Sequence, residues 1–148
     1  MPPEAATRRR LSLLLQIFAV HARMAELVER ELDREGVPTA GYAALSAIGA
    51  FGPVTLTELA SILGMPLTTA SDVVRRLEAC GHAVRRPNPA DGRSQLLELT
   101  EAGSAVWRAG WPALQRIDAS LAAELGDATP IRDALERLGD ALAAALPK

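Results

Sequence analysis

The chain has 148 residues, of which 49% are hydrophobic, and this is enough to bury the core of one domain. The composition argues against disorder of the whole chain, and the net charge of -2 argues against an indiscriminate polyanion binder. The single cysteine excludes an internal disulfide, and the sequence has no run of about 18 apolar residues. We therefore expect a cytoplasmic protein without a membrane segment.

The first predicted helix runs from Leu11 to Leu32, a stretch without glycine or proline. Apolar residues recur every three or four positions on one face, and a second face is apolar as well. Burial in the core of the monomer is one explanation. We favour a subunit interface, because a helix at the end of a chain is more often covered by a neighbour. The interface residues predicted here are Leu11, Leu14, Leu15 and Phe18.

Three shorter helices are predicted next. Thr39 is expected to cap the first, which ends at Ile48. Thr55 and Glu58 have the spacing of a capping box and open the second. After a glycine turn, the third extends from Leu67 to Cys80. Two short helices joined by a glycine turn predict a helix-turn-helix.

The third of these helices has an apolar inward side and a polar outward side. The outward side carries hydroxyls at its start and arginines further along, and both groups can contact base edges or phosphates in a major groove. A solvated helix face is the alternative. We favour DNA contact because a hairpin follows. The candidate DNA-binding residues of this helix are Thr68, Thr69, Ser71, Asp72, Arg75 and Arg76.

A β-hairpin with a protruding tip is predicted from strands at residues 82–86 and 94–99, with a segment rich in turn formers between them. Asp91 and Arg93 flank Gly92 at this tip, so we expect the aspartate to brace the arginine while the guanidinium of Arg93 reaches toward a minor groove. Together with Ser94, Asp91 and Arg93 are the candidate DNA contacts of the hairpin tip.

The first strand of the hairpin also contributes candidates. Arg85 and Arg86 alternate along it, so one is expected to face phosphate while the other lies along the protein surface. Residues 66–97 contain five arginines and three acidic residues, a net charge of +2, whereas residues 101–148 carry a net charge of -2. Positive charge is therefore concentrated around the predicted helix-turn-helix and hairpin.

Two further helices are predicted at the C-terminal end. Thr100 is expected to cap the first, which Pro112 should kink or split in two. Thr129 is expected to cap the second, with Pro130 in its first turn. The apolar stripe of this last helix is narrow, which favours a subunit contact. Its predicted interface residues are Ile131, Leu135, Leu138 and Leu142.

Several motifs together resemble the MarR family of bacterial transcription regulators. They are Leu56-Thr57-Glu58-Leu59-Ala60, Thr68-Thr69-Ala70-Ser71, Arg76-Leu77-Glu78, Asp91-Gly92-Arg93-Ser94 and Leu99-Thr100-Glu101-Ala102-Gly103. The resemblance covers about residues 37–103. It implies a mainly α fold with a small β-hairpin wing, in which residues 37–100 form a winged helix-turn-helix region. Dimerisation helices at residues 1–35 and 101–148 would complete a single domain.

The resemblance also implies a function. Members of the family are homodimers that bind a pseudo-palindromic operator in double-stranded DNA, commonly as repressors. Residues 67–80 would be the recognition helix and Arg93 the arginine of the wing. Members often release DNA when a small phenolic or lipophilic effector binds. The candidate effector-binding residues are His21, Tyr42, Trp107 and Trp111, although packing in the core is the alternative for the two tryptophans.

Other functions have less support in the sequence. His21 and His82 lack metal-ligand spacing, so we expect neither a metal site nor another cofactor. Cys80 is expected to be a small, half-buried residue and not a redox sensor. No grouping of catalytic residues is evident, so we do not expect an enzyme. A winged-helix module that binds protein instead of DNA is the alternative function.

Overall fold

The computed structural model describes residues 12–146, which divide between Leu114 and Gln115 into two compact units. The first unit contains α1 (Leu13–Arg34), α2 (Tyr42–Phe51), β1 (Val54–Thr55), α3 (Leu56–Leu63), α4 (Leu67–Ala79), β2 (Ala83–Pro87), β3 (Gln95–Leu99) and the start of α5 (Glu101–Leu125). The second unit contains the end of α5 and α6 (Thr129–Ala145). The predicted mainly α fold with a small β wing is confirmed. Within the described residues, no helix is both long and apolar enough to cross a membrane.

The core of the first unit lies where α2, α3 and α4 pack against the sheet. Its largest fully buried side chains are Leu32, Leu59, Val74 and Leu97, each from a different element. Burial of a side chain of this size stabilises a fold by about 1.5–3 kcal/mol. These residues therefore hold the end of α1, both helices of the helix-turn-helix and the base of the wing in one cluster.

The sheet has the order β1-β3-β2 and is antiparallel. The hairpin of β2 and β3 confirms the predicted wing, with each strand beginning one residue later than expected. Leu97 on the central strand is opposite Val54 on one side and Arg85 on the other. The sequence did not predict β1, because two residues are too short to show an alternating pattern.

The capping box at the start of α3 is confirmed. The Thr55 hydroxyl accepts the Glu58 N–H at 3.2 Å, and the Glu58 carboxylate accepts the Thr55 N–H at 2.7 Å. The predicted cap at Thr39 is wrong, because α2 begins after Gly41, whose φ of 80° is rarely open to a β-branched residue. The predicted cap at Thr129 is also wrong, because Thr129 lies inside α6.

Of the two effects predicted for Pro112, a split into two helices does not occur. Helix α5 continues from Glu101 to Leu125. Two residues near the proline are tightly packed: Ala113 is fully buried, and a Cβ added to Gly110 would lie 2.4 Å from the Tyr42 ring. Packing in the core therefore holds the helix together where proline removes one hydrogen bond.

Candidate nucleic-acid interface

The outward face of α4 is polar and exposed, while its inward face is held in the core. Ala70, Val74 and Leu77 are buried, which fixes the rotation of the helix about its axis. The predicted DNA-binding residues of α4 therefore share the opposite side. Thr68, Thr69, Asp72, Arg75 and Arg76 are exposed, and Ser71 is half-buried.

An ion pair lies on this face, between the Arg75 guanidinium and the Asp72 carboxylate. Both side chains are more than half exposed, so the pair is weak and its partners can exchange. Asp72 thus holds Arg75 close to the helix without removing it from solvent.

The tip of the wing is fixed by its own hydrogen bonds. The Asn88 amide donates to the Ser94 hydroxyl at 2.8 Å, and the Arg93 backbone N–H donates to the Asp91 carboxylate at 3.0 Å. Asp91 thus braces Arg93 through the backbone, where its carboxylate closes a local turn, and does not contact the guanidinium. Among residues 12–146, the exposed Arg93 side chain has no ion-pair partner, which leaves its charge available.

The two arginines of β2 lie in different environments. Arg85 Nε is 3.0 Å from Glu78 Oε1, and both side chains are less than a third exposed. Arg86 Nε is 3.6 Å from Glu98 Oε2, and Arg86 is 62% exposed. The two residues therefore alternate as expected, with Arg85 on the more covered side.

An open cavity of about 540 Å³ lies next to the two tryptophans. It is lined by Gly49, Ala50, Trp107, Arg108 and Trp111. The two indole rings meet edge to face, with centroids 6.2 Å apart. A Cβ at Gly49 would lie 2.5 Å from the Trp107 ring, so this glycine permits the close approach. The Trp107 Nε1 atom is buried and has no hydrogen-bond acceptor among the described residues.

The other predicted effector-binding residues do not line this cavity. Tyr42 is buried in the core, where its hydroxyl donates to the Trp107 carbonyl at 2.7 Å. His21 is exposed on α1. No local sequence pattern predicts Gly49, Ala50 or Arg108 as cavity residues, because the cavity depends on the packing of α2 against α5. Cys80 is exposed, so the expectation of a half-buried residue is wrong.

The predicted interface helices each carry exposed apolar side chains. On α1, Leu14, Leu15 and Phe18 are all more than half exposed. Leu11 lies outside the described residues. Helix α6 has no buried residue at all within its bounds. Its predicted interface residues are the exposed Ile131, Leu135 and Leu142 and the half-buried Leu138.

The buried Tyr42 hydroxyl gives a prediction for the titration of this chain. Burial raises the pKa of Tyr42 above its ordinary value of 10.0, and the nearby Ser46 hydroxyl offsets this only in part. Folding therefore favours the neutral phenol of Tyr42, and this preference stabilises the folded state. Its contribution to stability is fully present below pH 10.0 and is lost as the pH rises through the folded-state pKa.

Ultraviolet absorbance of tyrosinate measures this directly, because Tyr42 is the only tyrosine in the chain. We expect the native protein to titrate at higher pH than the urea-unfolded protein. Coincident titration curves for the two states would contradict the burial of this hydroxyl.

Comparisons with known proteins agree with this geometry. Residues 35–94 match the MarR family model. The HTH-type transcriptional regulator YdcH of Bacillus subtilis, itself uncharacterized, is 42% identical over 65 residues, which are 44% of each chain. The chain thus matches less than half the length of that relative.

Solved structures extend the likeness beyond the matched segment. The apo form of wild-type MarR from Escherichia coli is 26% identical, with a TM-score of 0.64 and coverage of 93% of this chain and 98% of that one. The regulator MosR of Mycobacterium tuberculosis, solved in complex with DNA, is 23% identical, with a TM-score of 0.76 and coverage of 92% and 100%. Residues 35–94, which include the helix-turn-helix and most of the wing, therefore match the MarR family, and the fold of the described chain is similar to that of MarR itself.

Proposed function

We propose that the chain is a sequence-specific DNA-binding regulator that acts as a homodimer and represses transcription from a pseudo-palindromic operator. The observation that carries this proposal is the exposed polar face of α4 beside a wing whose Arg93 guanidinium has no partner among residues 12–146. The relatives are named as regulators and MosR was solved with DNA, which supports the same role here. DNA binding would place the protein in the bacterial cytoplasm, and we propose no catalytic activity.

The dimensions of α4 suit a major groove. Its 13 residues span about 20 Å, and a B-DNA major groove is about 12 Å wide. In helix-turn-helix proteins the start of the recognition helix contacts base edges, and here it carries the hydroxyls of Thr68 and Thr69. Arg75 lies about two turns further along, where bidentate pairing with guanine is possible. The wing would place Arg93 in the adjacent minor groove.

The proposed homodimer explains the exposed apolar faces of α1 and α6. Several leucines there are about half exposed or more, and a monomer gains nothing from leaving these side chains in water. A two-fold axis would present two copies of α4 to successive major grooves, about 10 bp apart. The two-fold symmetry is the reason for proposing a pseudo-palindromic operator.

The cavity beside Trp107 and Trp111 supports the further proposal of a small lipophilic or phenolic effector. Its volume of about 540 Å³ lies in the range of small-molecule sites. The ring of a phenol would pack on the exposed ring of Trp111. The guanidinium of Arg108 would favour an anionic substituent.

DNA binding is tested with a duplex that the purified protein selects from a random-sequence pool. Because phosphate contacts release counterions, we expect affinity to fall steeply as salt is raised. Arg75→Ala should cost about 1–3 kcal/mol if Arg75 reads a base, and Arg93→Ala should also weaken binding. Fluorescence anisotropy titrations measure both effects.

The matched control is Arg137→Ala, which removes an exposed arginine from α6 and should leave affinity unchanged. Unchanged affinity for both Arg75→Ala and Arg93→Ala would contradict the assignment of these residues. If no duplex is selected and affinity for a protein partner shows little salt dependence, the winged-helix interaction module becomes the better description.

Dimerisation is tested by placing a charge on α6. Leu135→Glu should raise the dimer dissociation constant by about tenfold or more, because an interface that buries this side chain would also bury the carboxylate. Phe51→Glu is the control, since Phe51 is equally exposed but lies at the end of α2. Analytical ultracentrifugation at micromolar concentration distinguishes the two states. A wild-type monomer, or equal effects of both variants, would refute the proposed interface.

Effector binding is tested by intrinsic fluorescence, because the only two tryptophans of the chain both line the cavity. We expect some members of a panel of small phenols and aromatic carboxylates to quench this fluorescence and to release the selected duplex. Trp111→Ala should weaken release without changing DNA affinity. Leu125→Ala, an equally exposed residue of the same helix, is the control. A panel that neither quenches fluorescence nor releases DNA at millimolar concentration would contradict the proposal.

A further inference from the structure

We infer that the ion pair between Glu78 and Arg85 sets the position of the wing relative to α4, so that Arg85 is a positioning residue and not a phosphate contact. This inference rests on the proposed function, because it assigns a role in DNA binding. The two residues, Glu78 of α4 and Arg85 of β2, would act on DNA binding without contacting a base or a phosphate.

The Glu78–Arg85 pair is more shielded from water than four other ion pairs of the chain. Arg85 Nε donates to Glu78 Oε1 at 3.0 Å, and the side chains are 29% and 31% exposed. In each of the pairs Arg30–Glu31, Arg34–Glu31, Arg75–Asp72 and Arg86–Glu98, by contrast, the arginine is more than half exposed. Partial burial reduces screening by water, so this pair holds its geometry better than a surface pair does.

The register of the wing explains why Arg85 points toward α4. Arg85 is opposite Leu97, which is fully buried, and it shares a face of β2 with the buried Ala83. Arg86 lies on the other face, where it pairs with Glu98 at 3.6 Å. The Glu78 carboxylate offsets the charge of Arg85, which weakens its attraction for phosphate, and moving the guanidinium away would leave that carboxylate partly buried without its partner.

The connection between α4 and β2 is short, and two hydrogen bonds hold it at the base of the hairpin. The His82 N–H donates to the Leu77 carbonyl at 2.8 Å, and the Thr100 hydroxyl donates to the Gly81 carbonyl at 2.6 Å. These bonds hold the base of the hairpin, and the Glu78–Arg85 pair adds a second attachment further along β2. Two separated attachments resist rotation better than one. The tip, which carries Arg93, is held together by its own hydrogen bonds and moves with the strands.

Charge reversal separates positioning from phosphate contact. With the duplex that the wild-type protein selects, both Arg85→Glu and Glu78→Arg should raise the dissociation constant by about tenfold or more. The second result is the diagnostic one, because Glu78→Arg adds positive charge near DNA and would strengthen binding if charge alone mattered. The double variant has the wild-type net charge and should return to within about threefold of wild-type affinity.

Two controls complete the experiment. Glu78→Arg should not rescue Arg86→Glu, since Arg86 faces away from Glu78. Arg85→Gln should keep the wild-type slope of log affinity against log salt, whereas loss of a phosphate contact would reduce that slope by about one. Thermal unfolding followed by circular dichroism identifies any variant that does not fold, and Arg85→Gln then serves as the milder substitution.

The outcomes are distinct. If the wild-type protein selects no duplex, the proposed function fails. If the wild-type protein binds DNA but Glu78→Arg strengthens binding, or the double variant is no better than Arg85→Glu, the positioning role is refuted and the proposed function stands. A shallower salt slope for Arg85→Gln would likewise assign Arg85 to phosphate.

Discussion

The geometry of the candidate interface depends on the burial of one side of α4. Ala70, Val74 and Leu77 are in the core, and their spacing of three and four residues covers a single stripe of the helix. A helix fixed along such a stripe cannot rotate about its axis without exposing apolar surface. The direction in which Thr68, Thr69 and Arg75 point is therefore set by residues that never meet a ligand. For this reason, substitutions in the stripe would change DNA binding and stability together.

The same burial fixes the wing, because several elements converge on the end of α4. Thr100 accepts the Gly103 N–H at 3.0 Å at the start of α5, and its hydroxyl also reaches the Gly81 carbonyl. A Cβ at Gly103 would lie 1.9 Å from the His82 carbonyl oxygen, so the start of α5 passes too close to the segment before β2 for any residue with a side chain. The end of α4, the start of β2 and the start of α5 thus form one junction at the base of the wing.

The sequence predicted this region well where a local signal was present. The capping box at Thr55, the glycine turn and the alternation of Arg85 and Arg86 are each visible within a few residues, and the structure contains all three. The failures have a different origin. Gly41 caps α2 through its backbone conformation, which leaves no polar side chain to recognise. Whether Arg85 or Arg86 faces α4 depends on strand register, which a sequence pattern does not fix when both residues are the same.

The cavity illustrates the same limit and also bears on regulation. Its shape depends on Gly49 of α2 admitting the Trp107 ring of α5, a contact between residues 58 positions apart that no local pattern encodes. Trp107 lies about one helical turn after Gly103, so the cavity is next to the junction that holds the wing. Under the proposed function, a ligand there changes operator affinity only if it favours one arrangement of α2 and α5 over another. The coupling must also be reciprocal, so DNA would change the affinity for the ligand by the same factor. Gly49 and Gly110 pack closely against aromatic rings, and tightly packed contacts of this kind shift between discrete arrangements and do not deform gradually.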